Sequence, residues 1–288
     1  MDLTKLFCDI DDFVKALVAN NKLQLISNKS KRGQVARMSL SEMMTIIVLY
    51  HSSGFKNFKY FYLSLKETHR KEFPELLSYS RFIEWIPFCL FPLTFFSKSI
   101  MGEVTGISFI DSTSLGVCRN IRIPRNKVFK NIATRGKTSM GWFFGFKLHL
   151  VVNDRGELLN FMITKGNVHD IAPVKKLCKK ITGKLYGDKG YCGQALTQEL
   201  FKNGLHLFTN LRGNMKNKLI PLADKILLRK RFVIETINDQ LKNICDIEHS
   251  RHRSPTNFLV NIIAGLISYS YQPKKPSINF SGNELMAR

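Results

Sequence analysis

Residues 141–166 read GWFFGFKLHLVVNDRGELLNFMITKG, and this stretch decides the fold. Two runs rich in aromatic and β-branched residues flank the triplet DRG at 154–156. Apolar runs on both sides of a short turn sequence predict two antiparallel strands joined as a hairpin. The stretch therefore places a β-sheet in the second half of the chain.

The segments around the hairpin alternate between predicted strands and helices. ISFIDSTSLGV, at 107–117, precedes it as a further strand, and the chain is expected to be loop-like at 133–136. After the hairpin come a helix with Asp170 as its N-cap and Pro173 in its first turn, the strand KLYG, the helix QALTQELFKNG ending at Gly204, the strand HLFTNL and a last long helix. This order predicts an α/β fold of ribonuclease H type, with a mixed five-stranded sheet and flanking helices.

The first hundred residues are predicted to be helical. One helix begins with a capping box formed by Ser39 and Glu42, and a turn around Gly54 separates it from a second helix. Two helices joined by a short turn are typical of a helix-turn-helix that reads DNA, and an ordinary helical hairpin is the open alternative. The chain is thus expected to comprise a helical N-terminal domain, an α/β domain and a basic tail, at 1–100, 101–272 and 273–288.

The composition points to a polyanionic partner. The 288 residues include 44 Lys and Arg against 22 Asp and Glu, a formal net charge of +22. Positive charges in this excess repel one another unless a polyanion neutralises them. The excess therefore favours nucleic acid as the partner, with a membrane surface as the rival interpretation. The opening MDLTKLFCDIDD lacks the features of a signal peptide, and the longest apolar runs are too short to span a bilayer. We therefore expect a cytoplasmic protein with reduced cysteines and no membrane association.

Two aspartates follow apolar runs that are predicted to be strands. Asp111 comes after ISFI, and Asp188 comes after KLYG and before Gly190. Sites in open α/β sheets gather at the carboxyl ends of strands, so both carboxylates would share one sheet edge if these strands are neighbours. A turn or cap role is the simpler interpretation of each aspartate alone, and we assign that role to Asp154 and Asp170.

A third acid lies on the last helix, within RFVIETINDQLK at 231–242. Helical spacing predicts an apolar stripe of Val233, Ile237, Leu241 and Ile244. It also predicts a second stripe, roughly opposite, of Arg231, Glu235, Asn238 and Lys242. Taken alone, this second stripe is a solvated face with an Arg231–Glu235 ion pair. Taken with the two aspartates, Glu235 completes three carboxylates, whose hard oxygens select Mg²⁺ or Mn²⁺.

At these residues the chain resembles the DDE transposases of bacterial insertion sequences, in the retroviral-integrase and ribonuclease H-like superfamily. FIDSTSL at 109–115 is similar to the first-aspartate strand of that family, and YGDKGY at 186–191 to its second-aspartate motif. The last helix matches the third-acid signature of Arg, three residues, Glu, six residues and Lys. The family usually has Tyr three residues before the Arg, where this chain has Leu228, so the role of that tyrosine is in doubt.

The resemblance implies what each of these residues does. Asp111, Asp188 and Glu235 would bind two Mg²⁺ or Mn²⁺ ions, which activate an attacking oxygen at a phosphodiester. Arg231, Asn238 and Lys242 would face DNA. The partners would be the terminal inverted repeats of the element and target DNA, bound by a homodimer in the bacterial nucleoid.

A basic segment after the Asp111 strand is the expected DNA surface. RNIRIPRNKVFKNIATRGK contains no acid and seven cations, namely Arg119, Arg122, Arg125, Lys127, Lys130, Arg135 and Lys137. Arg251 and Arg253 extend this expectation. Trp142 could stack on a flipped base, and a place in the core is the favoured interpretation.

The expected activity is cleavage of phosphodiesters at the element ends, followed by attack of the freed 3′-OH on target DNA. Two alternatives stay open. One is a two-metal DNA endonuclease without strand transfer, and the other is a DNA-binding protein with an idle catalytic fold.

Overall fold

The computed structural model describes residues 1–20, 37–139, 141–210, 219–249 and 252–278. In these ranges the α-helices are α1 (Leu3–Ala19), α2 (Leu40–Tyr50), α3 (Phe58–Thr68), α4 (Tyr79–Trp85), α5 (Leu90–Ser99), α6 (Val174–Leu177), α7 (Gln194–Lys202), α8 (Leu222–Lys230), α9 (Phe232–Asn243) and α10 (Pro255–Ser270). The strands are β1 (Ile107–Cys118), β2 (Thr134–Thr138), β3 (Gly141–Asn153), β4 (Leu158–Lys165), β5 (Gly183–Gly187) and β6 (Leu205–Thr209). Short 3₁₀ helices occupy Ile86–Cys89, Asn120–Arg125 and Lys189–Tyr191.

Contacts divide the chain into two compact units. The helical unit comprises 1–100, 240–248 and 252–273, and the sheet unit comprises 101–239, 249–251 and 274–288. The sheet unit thus contains the whole sheet and α6 to α8. The functional division at 100 and 272 stays a prediction, because compactness alone does not assign a function to either unit.

The sheet is mixed, as predicted. Its strand order is β2-β3-β1-β5-β6, and β4 also pairs with β3. β1 pairs antiparallel with β3 and parallel with β5, and the predicted hairpin is the antiparallel pair β3–β4. The α/β fold of ribonuclease H type is therefore confirmed.

One strand of the sheet was not predicted. The chain was expected to be loop-like at 133–136, but residues 134–138 form β2, which pairs with β3 through Arg135 and Phe144 among others. The strand reads TRGKT and has no apolar run, because an edge strand with solvated side chains does not need one. Gly136 of β2 lies close to Gly166, the residue that directly follows β4. A Cβ atom added to Gly136 would be 2.2 Å from the Gly166 carbonyl oxygen, so a larger residue does not fit there.

The two faces of the sheet carry different helices. One face packs on α6 and α7 in a core of buried residues that includes Ile110, Leu177, Leu185, Leu196 and Leu205. Because side chains alternate along a strand, Ile110 enters this core and the next residue of β1 points to the other face. On that other face α8 approaches β5, where Asp224 accepts hydrogen bonds from Tyr186 at 2.6 Å and Lys184 at 2.7 Å.

The helical unit contains the predicted capping box at the start of α2. Ser39 Oγ accepts from the Glu42 backbone N–H at 3.1 Å, and Glu42 accepts from the Ser39 backbone N–H at 2.7 Å. Gly54 has a φ of +76°, as the predicted turn requires. Residues 51–57 connect α2 to α3, and a DNA-reading role for this pair stays a prediction.

α10 is a largely buried helix of the helical unit, where it packs with α2 and α5. Within the described ranges, no helix combines the length and apolar character needed to cross a membrane.

The last predicted helix is divided into α8 and α9 at Arg231. Val233, Ile237 and Leu241 of the predicted apolar stripe are buried. Ile244 is 54% exposed, contrary to the prediction, because α9 ends at Asn243 and the helical face no longer continues there.

Candidate active site

Asp111 lies inside a strand, not at the strand end that the sequence predicted. β1 continues to Cys118, where it stays paired with β3. The parallel ladder with β5, however, ends at the pair Phe109–Tyr186. Asp111 and Asp188 each follow two residues later, so they occupy matching positions where β1 and β5 part.

Asp188 directly follows β5 and is half-buried. Its Oδ1 accepts a hydrogen bond from the Lys189 backbone N–H at 2.6 Å and caps the 3₁₀ helix that begins there. The cap role and the position beside β1 are therefore compatible.

α9 contributes two polar side chains of its second stripe to this region. Glu235 is 55% exposed at its side chain and accepts from Arg231 Nη2 at 2.8 Å, which is the i, i+4 ion pair of the simpler interpretation. Asn238, expected to face DNA, is instead buried, and its Nδ2 donates to Asp111 Oδ2 at 3.1 Å. This hydrogen bond fixes α9 on the sheet face that carries Asp111.

The charges around Asp111 change its acidity. Burial raises the pKa of Asp111 to about 6, and a hydrogen bond from the Ser112 backbone partly opposes this increase. The positive charge of Arg231 also lowers the pKa, whereas the negative charges of Glu235 and Asp188 raise it further. The other two predicted carboxylates therefore both act electrostatically on Asp111.

The donor set of this region fits a divalent cation. Carboxylates and an amide are hard oxygen ligands, and a cation among them would offset the repulsion that raises the Asp111 pKa. Asn238 Oδ1 is buried and has no hydrogen-bond partner among the described residues. In the same ranges, no three His, Cys, Asp or Glu side chains are close enough together to form a ready-made metal site.

A second polar network lies behind Asp111, on the opposite face of β1. Asp170 Oδ1 accepts from Ser112 Oγ and from Lys147 Nζ, each at 2.9 Å. The prediction of Asp170 as a helix N-cap is wrong, because α6 starts only after Pro173 and the Asp170 carboxylate is held by these two donors instead. Sequence reasoning missed the network, although Lys147 within the apolar strand FKLHL required a buried counter-ion.

Tyr191 borders this network. Burial raises the pKa of the Tyr191 hydroxyl well above its usual value, and the negative charges of Asp111 and Asp170 raise it further. The hydroxyl therefore stays protonated at neutral pH.

The seven cations of the basic segment are exposed, and none forms an ion pair with a described carboxylate. The segment is anchored at Phe129, whose buried ring contacts the Phe146 ring with centroids 6.0 Å apart.

Trp142, expected in the core, is 61% exposed, and its backbone oxygen accepts from Asn120 at 2.8 Å. Lys137 Nζ lies 5.8 Å from the centre of the Trp142 ring. An exposed indole thus adjoins unpaired positive charge.

Three further predicted DNA contacts belong to segments outside this surface. Lys242 forms an ion pair with Glu248 at 2.8 Å within the helical unit. Arg253 is exposed, and Arg251 is outside the described residues.

Comparison with known proteins assigns the family. No curated protein matches the sequence. A family profile described as Transposase DDE domain matches residues 101–255, which is more than half of the chain. The match spans Asp111, Asp188 and Glu235 in the order that the three-acid motif requires. DDE transposase domains use divalent metal ions to cleave DNA. The chain therefore belongs to the transposase DDE domain family and is a transposase.

Proposed function

We propose that the protein cleaves phosphodiesters at the ends of a bacterial insertion sequence and joins the freed 3′ ends to target DNA. In the joining step the 3′-OH attacks a target phosphodiester, a new phosphodiester forms, and the 3′-oxygen of the target strand leaves. The observation that supports this proposal is that Asp111 and Asp188 each lie two residues beyond the last parallel pair of β1 and β5, while Asn238 links α9, which carries Glu235, to Asp111, within a chain of this family. In the proposal these three carboxylates hold two Mg²⁺ or Mn²⁺ ions.

Bound there, the ions would supply Lewis-acid stabilisation of the attacking and leaving oxygens. The residues of the chain supply the rest. Asp111 is preorganised by hydrogen bonds from Asn238 and from the Ser112 backbone. Arg231 compensates negative charge beside Glu235 and is proposed to contact a phosphate.

The basic segment supplies the proposed path for DNA. Its cations are unpaired among the described residues, and its strand β2 adjoins β3, which runs beside Asp111 on β1. Contacts between Lys or Arg and phosphate position a duplex without reading its sequence. Sequence recognition of the inverted repeats is therefore proposed for the helical unit, and we propose that two copies of the chain act together on the two ends in the nucleoid.

Loss of a metal ligand tests the proposal. Mg²⁺ or Mn²⁺ should raise the melting temperature of the wild type by mass action, and Asp188→Asn should abolish this increase and all DNA cleavage. DNA affinity in a gel-shift assay should be largely retained. Glu103→Gln is the matched control, since Glu103 is an exposed carboxylate of the same unit. Full cleavage by Asp188→Asn would remove this residue from the site.

A joining assay separates the transposase from the endonuclease. Pre-cleaved ends, made from the DNA that flanks the gene, are incubated with a target plasmid and the wild type. Joined product is expected, and cleavage without any joining would favour the endonuclease. DNA binding without cleavage or joining would favour the idle catalytic fold.

A further inference from the structure

We propose that Asn238 is a positioning residue that orients the Asp111 carboxylate for metal binding. The inference rests on the proposed metal site. It assigns to Asn238 a role within the protein, in place of the contact with DNA that the sequence predicted.

The Asn238 side chain is buried against Asp111 and holds its carboxylate by a hydrogen bond. Only 7% of the residue is exposed, and Nδ2 donates to Asp111 Oδ2 at 3.1 Å. Groups that hydrogen-bond a metal ligand fix its orientation and tune its affinity for the ion. The Ser112 backbone also donates to Asp111, so rotation of this carboxylate is restricted by a strand and by a helix at once.

The hydrogen bond to Asp111 accounts for the amide nitrogen of Asn238 but leaves its amide oxygen unexplained. Asn238 Oδ1 is buried without a partner among the described residues, and an unsatisfied buried acceptor is costly. Val233, Ile237 and Leu241 show that α9 otherwise packs by apolar contacts, so the amide oxygen at 238 is not required by that packing. A bound metal ion, or a water on that ion, would give the Asn238 Oδ1 atom a partner.

The position on α9 places Asn238 beside the other charged groups of the site. It lies three residues after Glu235 and seven after Arg231, which is one helical face. Its amide oxygen is a hard donor of the type that Mg²⁺ and Mn²⁺ accept, directly or through water. Asn238 therefore links the helix that carries Glu235 to the Asp111 carboxylate on the sheet.

A metal titration without catalysis tests the inference. The melting temperature of the full-length protein is measured against Mn²⁺ concentration for the wild type, Asn238→Leu and Asn238→Ala. Leu retains similar branching but cannot donate, so the Mn²⁺ concentration at the midpoint should rise by about 10- to 100-fold. Ala leaves room for a water to donate instead, so its midpoint should lie between those of the wild type and the Leu variant.

The metal-free melting temperature separates positioning from packing. In EDTA, the melting temperature of each Asn238 variant reports the combined effect of the lost hydrogen bond to Asp111 and of changed packing, so each Mn²⁺ response is measured from the metal-free melting temperature of the same variant. Thr236→Ala is the matched control on the same helix, since Thr236 is exposed and its hydroxyl donates to the Phe232 carbonyl of that helix. The control should titrate like the wild type. If Leu does not fold, the Ala variant carries the comparison.

Two results have different consequences. A wild type that does not respond to Mn²⁺ overturns the proposed metal function itself. A wild type that responds, with Asn238 variants of unchanged midpoint, overturns only the role of Asn238.

Discussion

The Asp111 side chain combines two properties that oppose each other. Its carboxylate must be ionised to bind a cation, and its burial disfavours the ionised form. Sites of chemistry commonly contain such perturbed groups, whereas an acid with only a structural role is more often fully paired. In the absence of metal, the ionised form of Asp111 should therefore destabilise the folded protein.

Asp111→Asn should stabilise the metal-free protein at high pH. The folded pKa of about 6 lies above the usual value of 3.8, so the cost of ionisation is fully present above the folded pKa. That cost is on the order of 2–3 kcal/mol, and it disappears as the pH falls towards about 4. Denaturant unfolding in EDTA, at pH values above and below this window, measures the difference between variant and wild type.

Glu103→Gln serves as the comparison for that experiment, since it should show no such pH-dependent difference. An Asp111→Asn protein that is less stable than the wild type at high pH would contradict the argument. It would mean that the Asn238 and Ser112 donors outweigh the burial of the charge.

At the residue scale, the sequence predicted the three acids and not their neighbours. Asp111, Asp188 and Glu235 each belong to a short motif that can be read locally. The partners of Asp111 and Asp170 lie far away in the sequence: Asn238 is 127 residues from Asp111, and Ser112 is 58 residues from Asp170. Contacts of this kind depend on tertiary packing, which no local pattern contains.

At the scale of elements, β2 and the 3₁₀ helix before it form the exposed basic surface. The 3₁₀ helix carries Arg122 and Arg125, and Arg119 immediately precedes it. These guanidinium groups are exposed and have no described carboxylate partner. Such a surface is expected to bind phosphate by releasing counter-ions.

Neutralisation of Arg119, Arg122 and Arg125 together, as Gln, should flatten the salt dependence of DNA binding. Each lost phosphate contact reduces the log–log slope on duplex DNA by about 0.9, so the triple variant should lose up to about 2.7. Fluorescence anisotropy over a range of salt concentrations measures this slope.

Lys176, Lys179 and Lys180, changed to Gln, provide a charge-matched control. They are exposed cations of the same unit, outside the basic segment. Equal slopes for the two triple variants would show that DNA binding depends on the net charge of the protein and not on this particular surface.

Elements with an apolar pattern were predicted well, and elements without one were not. The β3–β4 hairpin was evident from its alternation and turn. β2 was missed because its residues are polar or glycine, and it is defined only by hydrogen bonds to β3. The break at Arg231 between α8 and α9 was missed because the residues before it and the residues after it both have helix-forming sequences.

At the scale of the whole molecule, the net charge of +22 should act against the folded state. Raising the salt concentration from about 0.01 M to about 0.15 M shortens the Debye length from about 30 Å to about 8 Å, which screens this repulsion. The melting temperature of the DNA-free protein should therefore rise with salt. A non-ionic osmolality control distinguishes screening from general solute effects, and a melting temperature that falls with salt would contradict the prediction.

The position of Asp111 within β1 makes the proposed chemistry depend on whether the number of residues before it in the strand is odd or even. If the ladder to β5 kept its register, deletion of one residue between 107 and 110 would turn the carboxylate towards α6 and α7, into an apolar core. Deletion of two residues would restore the face but move the acid away from Asp188. Changes of length in the connection at 126–133 would alter neither. Tolerance to insertions and deletions should therefore differ sharply between neighbouring segments, although their compositions give no indication of it.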